Sequence, residues 1–498
     1  VSLRRIQRIC MQHIFSLYLL FFYFVSIDSF LLKKRLLEKM SWIEYPSDCH
    51  FPIENIPFGI FSTISSPSPR VGTAIGDFVV DLSTLYEDGL FSDTGLPLNV
   101  FASSSLNSFM SLNRSVWQAV RHRLIYLFTN ADSGDSRLKL NISLQERVMN
   151  PMCNVIMHLP AQIGDYTDFY CSREHATNCG IMFRGVENAL QPNWLHLPVG
   201  YHGRASSVVI SGTPVVRPWG QIHADRTQPK LGSKFSQCKA LDYELEIGFF
   251  VGGKDNPIGK PIKMSEAEDR IFGIVLLNDW SARDVQAWEY VPLGPFTAKS
   301  FCTSVSPWVV TLDALDPFRC ATSAGMEQNN PSPLPYLVDP DYHKSTYDVN
   351  LEVAIAPEGG QTADFLPVTR SNMKYLYWNM KQQLVHHSIT GCPFKAGDLI
   401  GSGTISGPEP HMFGSMMELS WKASRDIELK PAESADSTSS IAGSTGSIAA
   451  ESVPTTHLRR YLQDGDTVTI SGFAQGEKFR IGFGQVTGTI QPAVDAPY

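Results

Sequence analysis

A chain of 498 residues with 43% hydrophobic and 18% charged residues has a globular balance and is long enough for two domains, or for one large domain with a smaller partner. Its formal net charge of −8 without a long basic stretch gives no surface for nucleic acid, which needs clustered Lys and Arg. Nine cysteines without a CxxC pair exclude a zinc ribbon and argue against a secreted disulfide framework, leaving mostly buried thiols in a reducing compartment.

At the N-terminus Arg4, Arg5 and Arg8 precede an apolar run from Ile14 to Ile27, followed by Lys33, Lys34 and Arg35, the order of a signal peptide or anchor. The run is short for a membrane span, Asp28 interrupts it, and no small-residue cleavage site follows. Met40 opens a soluble-looking segment (MSWIEYPSD), so residues 1–39 are read as an extra segment from upstream sequence or a mispredicted first exon, with a membrane anchor as the alternative. From Phe51 to about Leu85 short apolar runs alternate with turn signals, and Gly76-Asp77 separates two predicted strands. Residues 104–148 have helical spacing, with Trp117, Val120, Leu124 and Leu127 on one side, and a boundary is expected between Pro151 and Pro160.

Beyond that boundary the predicted elements are strands, at 206–218, 245–253, 272–280, 307–315, 348–359 and 466–475. One helix interrupts them: Ser371 is the expected cap of a stretch carrying Met373, Leu376, Tyr377, Met380 and Leu384 on one face, with Gly391 as the stop. His386 and His387 read as its solvated end. Residues 431–456, rich in Ser, Ala, Thr and Gly, read as a mobile surface loop. No GxGxxG or P-loop stands in a strand-to-helix setting, so nucleotide cofactors are not indicated.

Three stretches carry residues capable of chemistry. IGDYTDFYCSREHATNCGIMFRG (163–185) holds Asp165, Asp168, Tyr170, His175 and Arg184, too many polar groups for an unpaired core strand but compatible with an ordinary polar loop. In LDYELEIGFF (241–250) the period of two puts Glu244 and Glu246 on one strand face, where they repel unless a cation or Arg sits between them. A solvated strand face is the plain alternative. The third stretch, 278–308, offers Asp279, Arg283, Gln286, Tyr290, Lys299 and Thr303 at and after a strand end. Carboxylates from three separated segments suit a hard divalent cation, and Cys/His clusters suited to zinc are absent.

IGDYTDFY with His175, NWLHLPVGYHGRASSVV, LDYELE, NDWSARD, WEYVPLGPF and SGTISGPEP together resemble the fumarylacetoacetase family. The resemblance runs from about Met40 to the C-terminus, takes in FPIENIPFGIFST and RIGFGQ, and fails over residues 1–39 and the Ser-rich loop. It implies a mainly β fold with some α: a small SH3-like domain over 40–156 and a larger catalytic β-sandwich roll over 157–498. The implied activity is hydrolysis of 4-fumarylacetoacetate to fumarate and acetoacetate, the last step of tyrosine breakdown, by a cytosolic homodimer.

By the same resemblance Asp168, Glu244, Glu246 and Asp279 bind Ca²⁺, His175 accepts a proton from water, and Glu418 orients that His. Arg184, Gln286 and Lys299 surround the oxyanion and substrate carboxylate, while Tyr170, Arg184, Gln286, Tyr290 and Thr404 contact substrate. Asp279, Lys299 and Thr303 surround a Mg²⁺ site, where the Lys299 backbone oxygen is the expected contact because an ammonium has no lone pair. Cys302 stands where the family has Gly, and a left-handed backbone there would strain it. The competing readings are a related 2-oxo-acid or diketo-acid hydrolase, decarboxylase or isomerase, and a non-catalytic Ca²⁺-binding scaffold.

Overall fold

The computed structural model describes residues 41–130, 134–432 and 456–496; the readings made for 1–39 and for 433–455 of the Ser-rich loop fall outside them. Near the N-terminus an antiparallel sheet has the order Met149–Pro151, Phe78–Asp81, Arg70–Ile75, Phe58–Thr63, Val155–His158. Gly76, at φ +55°, makes the two-residue turn between the second and third strands in sequence, a conformation that costs glycine nothing. The helix Arg114–Phe128 buries Trp117, Val120, Leu124 and Leu127, the expected stripe. Its Trp117 meets Phe272 edge-on at 5.1 Å, and Phe58 and Phe109 reach the same ring at 6.0 and 5.5 Å. That aromatic contact seats the N-terminal part on one face of the central sheet.

The central sheet has eight strands, in the order Gly200–Gly203, Tyr166–Phe169, Leu399–Gly401, Leu245–Val251, Ile271–Asp279, Thr303–Val305, Val208–Ile210, with Val310–Thr311 pairing beside Ile271–Asp279. A second, five-stranded sheet is built from Thr369–Asn372, Asn350–Ala356, Thr467–Gln475, Arg480–Gln491 and Val215–Val216. Helices are short, so the fold is mixed but mostly β. Leu245, Ile247 and Phe249 enter the main C-terminal core, while Phe250, Val275, Leu277 and Tyr166 enter the core shared with the N-terminal part. By strand alternation Glu246, Asp279 and Asp168 share the face of this second set. One sheet face therefore runs from apolar to acidic along its strands.

The structure corrects four sequence expectations. The helix expected from Ser371 to Gly391 is only Met380–Ser388, capped by Asn379, whose side chain accepts from the Gln382 amide. Ser371 lies in a strand, in register with Leu351, and its hydroxyl donates to the Ile405 carbonyl; sheet pairing outweighs its capping tendency. The strand expected over 307–315 shrinks to Val310–Thr311, because Thr311 caps a helical turn from Leu312. The one expected over 206–218 splits into Val208–Ile210 and Val215–Val216 around a left-handed Gly212. His386 and His387 are half-buried rather than solvated: the Tyr336 hydroxyl lies 2.9 Å from His386 Nδ1, and His387 packs edge-on to Phe394. Burial, aided by the nearby His202, pushes the His387 imidazole down to about 4.

Candidate active site

Strand register delivers the carboxylates. Asp168 pairs with Gly401 across parallel strands, and Gly401 with Gly248 on the strand that begins just after Glu244 and carries Glu246. That strand pairs with Ile271–Asp279, whose last residue sits opposite Thr303. Asp168, Glu244, Glu246 and Asp279 each place an oxygen within 4.8 Å of the others, and all four are buried. Gly401 leaves room for this: a Cβ there would stand 3.1 Å from Glu246 Oε2, 3.2 Å from the Tyr166 hydroxyl and 3.3 Å from Asp168 Oδ1. Gly403, at φ +77°, turns its amide to donate to Glu246 Oε2 at 3.0 Å.

Two cations face this cluster from the side. Lys299 Nζ donates to Asp279 Oδ2 at 2.9 Å and to Glu244. Arg283 bridges Asp242 and Glu244 at 2.8 Å each. With Asp242 included, five buried carboxylates meet two cationic side chains, and Asp168 Oδ1 and Glu246 Oε1 are buried with no hydrogen-bond partner among the described residues. Burial first, then the neighbouring carboxylates, pushes Asp168 and Glu246 far above the usual range. Burial also opposes the charge of Glu244, but Lys299 and Arg283 hold it down at about 2. A hard divalent cation fits this set, since it would neutralise the excess charge and take up the orphaned oxygens.

His175 enters the same cavity from the helix Arg173–Arg184. Ser172 caps that helix, accepting from the His175 amide, and its hydroxyl also donates to the Ser406 carbonyl. The cap thus fixes the helix to the SGTISG loop. His175 Nδ1 lies 2.7 Å from Glu418 Oε2. Asn178, Ser406 and Ser415 donate to the same carboxylate at 2.9 Å, so Glu418 is held as an anion although burial opposes it. Burial would lower the His175 pKa, but the adjoining Cys179 sulfur and the Glu418 carboxylate outweigh it and raise it well above the ordinary value.

A cavity of about 360 Å³ joins these groups. Asp168, Tyr170, His175, Arg184, Glu244, Glu246, Gln286, Tyr290, Lys299 and Thr404 line it, whereas Glu418, Asp279 and Thr303 stand behind its wall. The Arg184 guanidinium is braced by the Asn188 and Ala189 carbonyls, and Gln286 Oε1 accepts from Arg283 at 3.2 Å. Thr303 donates to Asp279 Oδ1 at 2.7 Å, so the side chains of Lys299 and Thr303 meet on Asp279. The Lys299 ammonium itself reaches the carboxylate cluster. Cys302 is buried and not left-handed, so the strain considered for it does not arise.

Sequence reasoning gave no role to Arg283, Tyr201 or Cys179. Tyr201 donates to Asp279 at 3.3 Å, and Cys179 Sγ lies 3.6 Å from His175 Nε2. The signal for Cys179 was its i, i+4 spacing from His175 on a helix.

Residues 54–160 match the family model described as fumarylacetoacetase N-terminal, and residues 165–491 the one described as fumarylacetoacetate hydrolase C-terminal. The chain is 49% identical to the fumarylacetoacetase of Bos taurus over 458 residues, and 49% identical to that of Homo sapiens over 457 residues. Each alignment covers 91% of this chain and 99% of the relative. A solved fumarylacetoacetate hydrolase from Exiguobacterium antarcticum aligns with a TM-score of 0.45 at 16% identity, over 88% of this chain and 99% of the other.

Proposed function

The chain belongs to the fumarylacetoacetase family and hydrolyses fumarylacetoacetate, and we propose that it does so in the carboxylate cavity, cleaving a carbon–carbon bond to give fumarate and acetoacetate. One observation carries this reading: the His175–Glu418 pair and the four-carboxylate cluster open into one cavity. The leaving group is a carbanion, which departs only if its charge is spread onto oxygen. A divalent cation held by Asp168, Glu244, Glu246 and Asp279 would supply Lewis-acid polarisation of the substrate oxygens. With Nδ1 donating to Glu418, His175 Nε2 is the atom that takes a proton from water. The hydroxide adds to the ketone, the carbon–carbon bond breaks, and the imidazolium returns its proton to the acetoacetate carbon. Arg184, Gln286 and Lys299 are the donors facing the oxyanion and the substrate carboxylate, with Tyr170, Tyr290 and Thr404 shaping the rest.

We assign Ca²⁺ to the four-carboxylate cluster, because its ligands are all oxygen. Mg²⁺ is assigned beside Asp279, Lys299 and Thr303. The N-terminal five-stranded sheet is read as an SH3-like barrel over 40–156 and the remainder as a β-sandwich roll over 157–498, assembled as a cytosolic homodimer. Among the described residues no helix is long and apolar enough to cross a membrane. The test is addition of purified protein to fumarylacetoacetate: the diketone ultraviolet absorbance should disappear. No loss with Ca²⁺ present would overturn the hydrolase reading, and release of CO₂ instead would point to a decarboxylase on the same fold.

A further inference from the structure

We propose that Cys179 is a thiol nucleophile that captures unsaturated carbonyl compounds covalently within the catalytic cavity, a modification site apart from hydrolysis. His175 and Cys179 stand one helical turn apart on Arg173–Arg184, and Cys179 Sγ lies 3.6 Å from His175 Nε2 while Nδ1 meets Glu418 at 2.7 Å. The sulfur is also 3.8 Å from Nδ1, so the thiol stands beside the imidazole with Nε2 the nearer nitrogen, while Glu418 orients the ring through Nδ1. The nearer nitrogen is the one that hydrolysis uses to activate water, so thiol and water compete for one base.

The thiol opens onto a ligand space rather than packed core. It lines the cavity also lined by Asp168 and Glu246, whose Oδ1 and Oε1 are buried and unpartnered. Three of the other thiols differ. Cys238 donates to the Asp284 carboxylate at 3.0 Å, which discourages its ionisation; Cys302 is buried against Ser304; Cys153 is exposed at the surface.

The ligand class rests on the proposed function: a fumaryl ketone is an alkene conjugated to carbonyl groups, and its alkene carbons accept a thiolate. The Sγ proton passes to His175 Nε2 and sulfur bonds to the β-carbon. The alkene pair moves onto the carbonyl oxygen as an enolate, which takes the proton back at the α-carbon. One C–S bond and one C–H bond form, the S–H bond and one C=C π bond are lost, and neither an oxidant nor a leaving group is needed. The thioether then occupies the Nε2 side of His175, where the hydrolytic water must stand.

The experiment incubates the Ca²⁺-loaded full chain with monoethyl fumarate and follows both peptide mass and residual turnover of fumarylacetoacetate. The expected result is one adduct on the peptide containing Cys179, with turnover falling in step and fumarate protecting. Cys179→Val and Cys179→Ser should both lose the adduct, and His175→Asn should slow its formation on the order of 100-fold. An adduct on Cys153 with Cys179 unmodified, or equal inactivation of the wild-type and both variants, would overturn the proposal. If Cys179 is alkylated in a protein that never hydrolyses fumarylacetoacetate, the hydrolase reading fails and the capture site stands.

Discussion

At the residue scale the account turns on His175. Its acceptor role needs the neutral imidazole, and its pKa is raised, so activity should be lost as pH falls through that value and regained as pH rises. A pH profile of kcat/KM should show a one-proton acidic limb that His175→Asn removes; an unchanged limb in that variant would remove His175 from the role. Turnover in His175→Asn should drop on the order of 10²- to 10⁴-fold. Folding should survive, because Asn178, Ser406 and Ser415 still satisfy Glu418. The chemistry of this site was partly legible in the sequence. Glu244 and Glu246 follow strand alternation, and Asp168 and His175 share one polar stretch. Arg283 was legible as a candidate but its partners were not, since its salt bridges to Asp242 and Glu244 span 41 and 39 positions of chain and exist only after the strands align.

At the scale of elements, the loop after Leu399–Gly401 does more than connect. Gly401 makes space for Asp168 Oδ1 and Glu246 Oε2, and Gly403 bends the chain so that its amide reaches Glu246. Gly401→Ala should weaken Ca²⁺ binding on the order of 10- to 100-fold by crowding the oxygens, readable by calorimetry. Affinity equal to the wild-type would mean the cation binds elsewhere. Strands with long apolar runs, such as Leu245–Val251 and Ile271–Asp279, were evident from sequence because burial dictates their composition. The helix near 380 was misplaced because Ser371 has the chemistry of a cap and the tertiary setting of a strand, paired with Leu351. Local propensity could not separate the two.

At the scale of the whole molecule the acidic cluster trades stability for binding. In the cation-free protein Asp168, Glu246 and Asp279 have raised pKa values, so the folded state holds protons that the unfolded state releases. Stability of that form should fall as pH rises above the ordinary carboxylate range, and Ca²⁺ should reverse the fall while releasing protons. Thermal unfolding with chelator and with Ca²⁺ checks this: at about 100 times Kd the cation adds about 2.7 kcal/mol. A melting curve indifferent to both Ca²⁺ and pH would contradict it. The N-terminal sheet contributes by packing on the apolar part of the face whose other end is acidic, and so braces the strands that present the carboxylates. The central claim joins that cradle to the His175 base in one hydrolytic site, and its most direct test is product analysis by NMR. Protein stripped by chelator and then restored with Ca²⁺ should convert fumarylacetoacetate to equimolar fumarate and acetoacetate, with no conversion before restoration. Full turnover in the stripped protein, or products other than this pair, would contradict it.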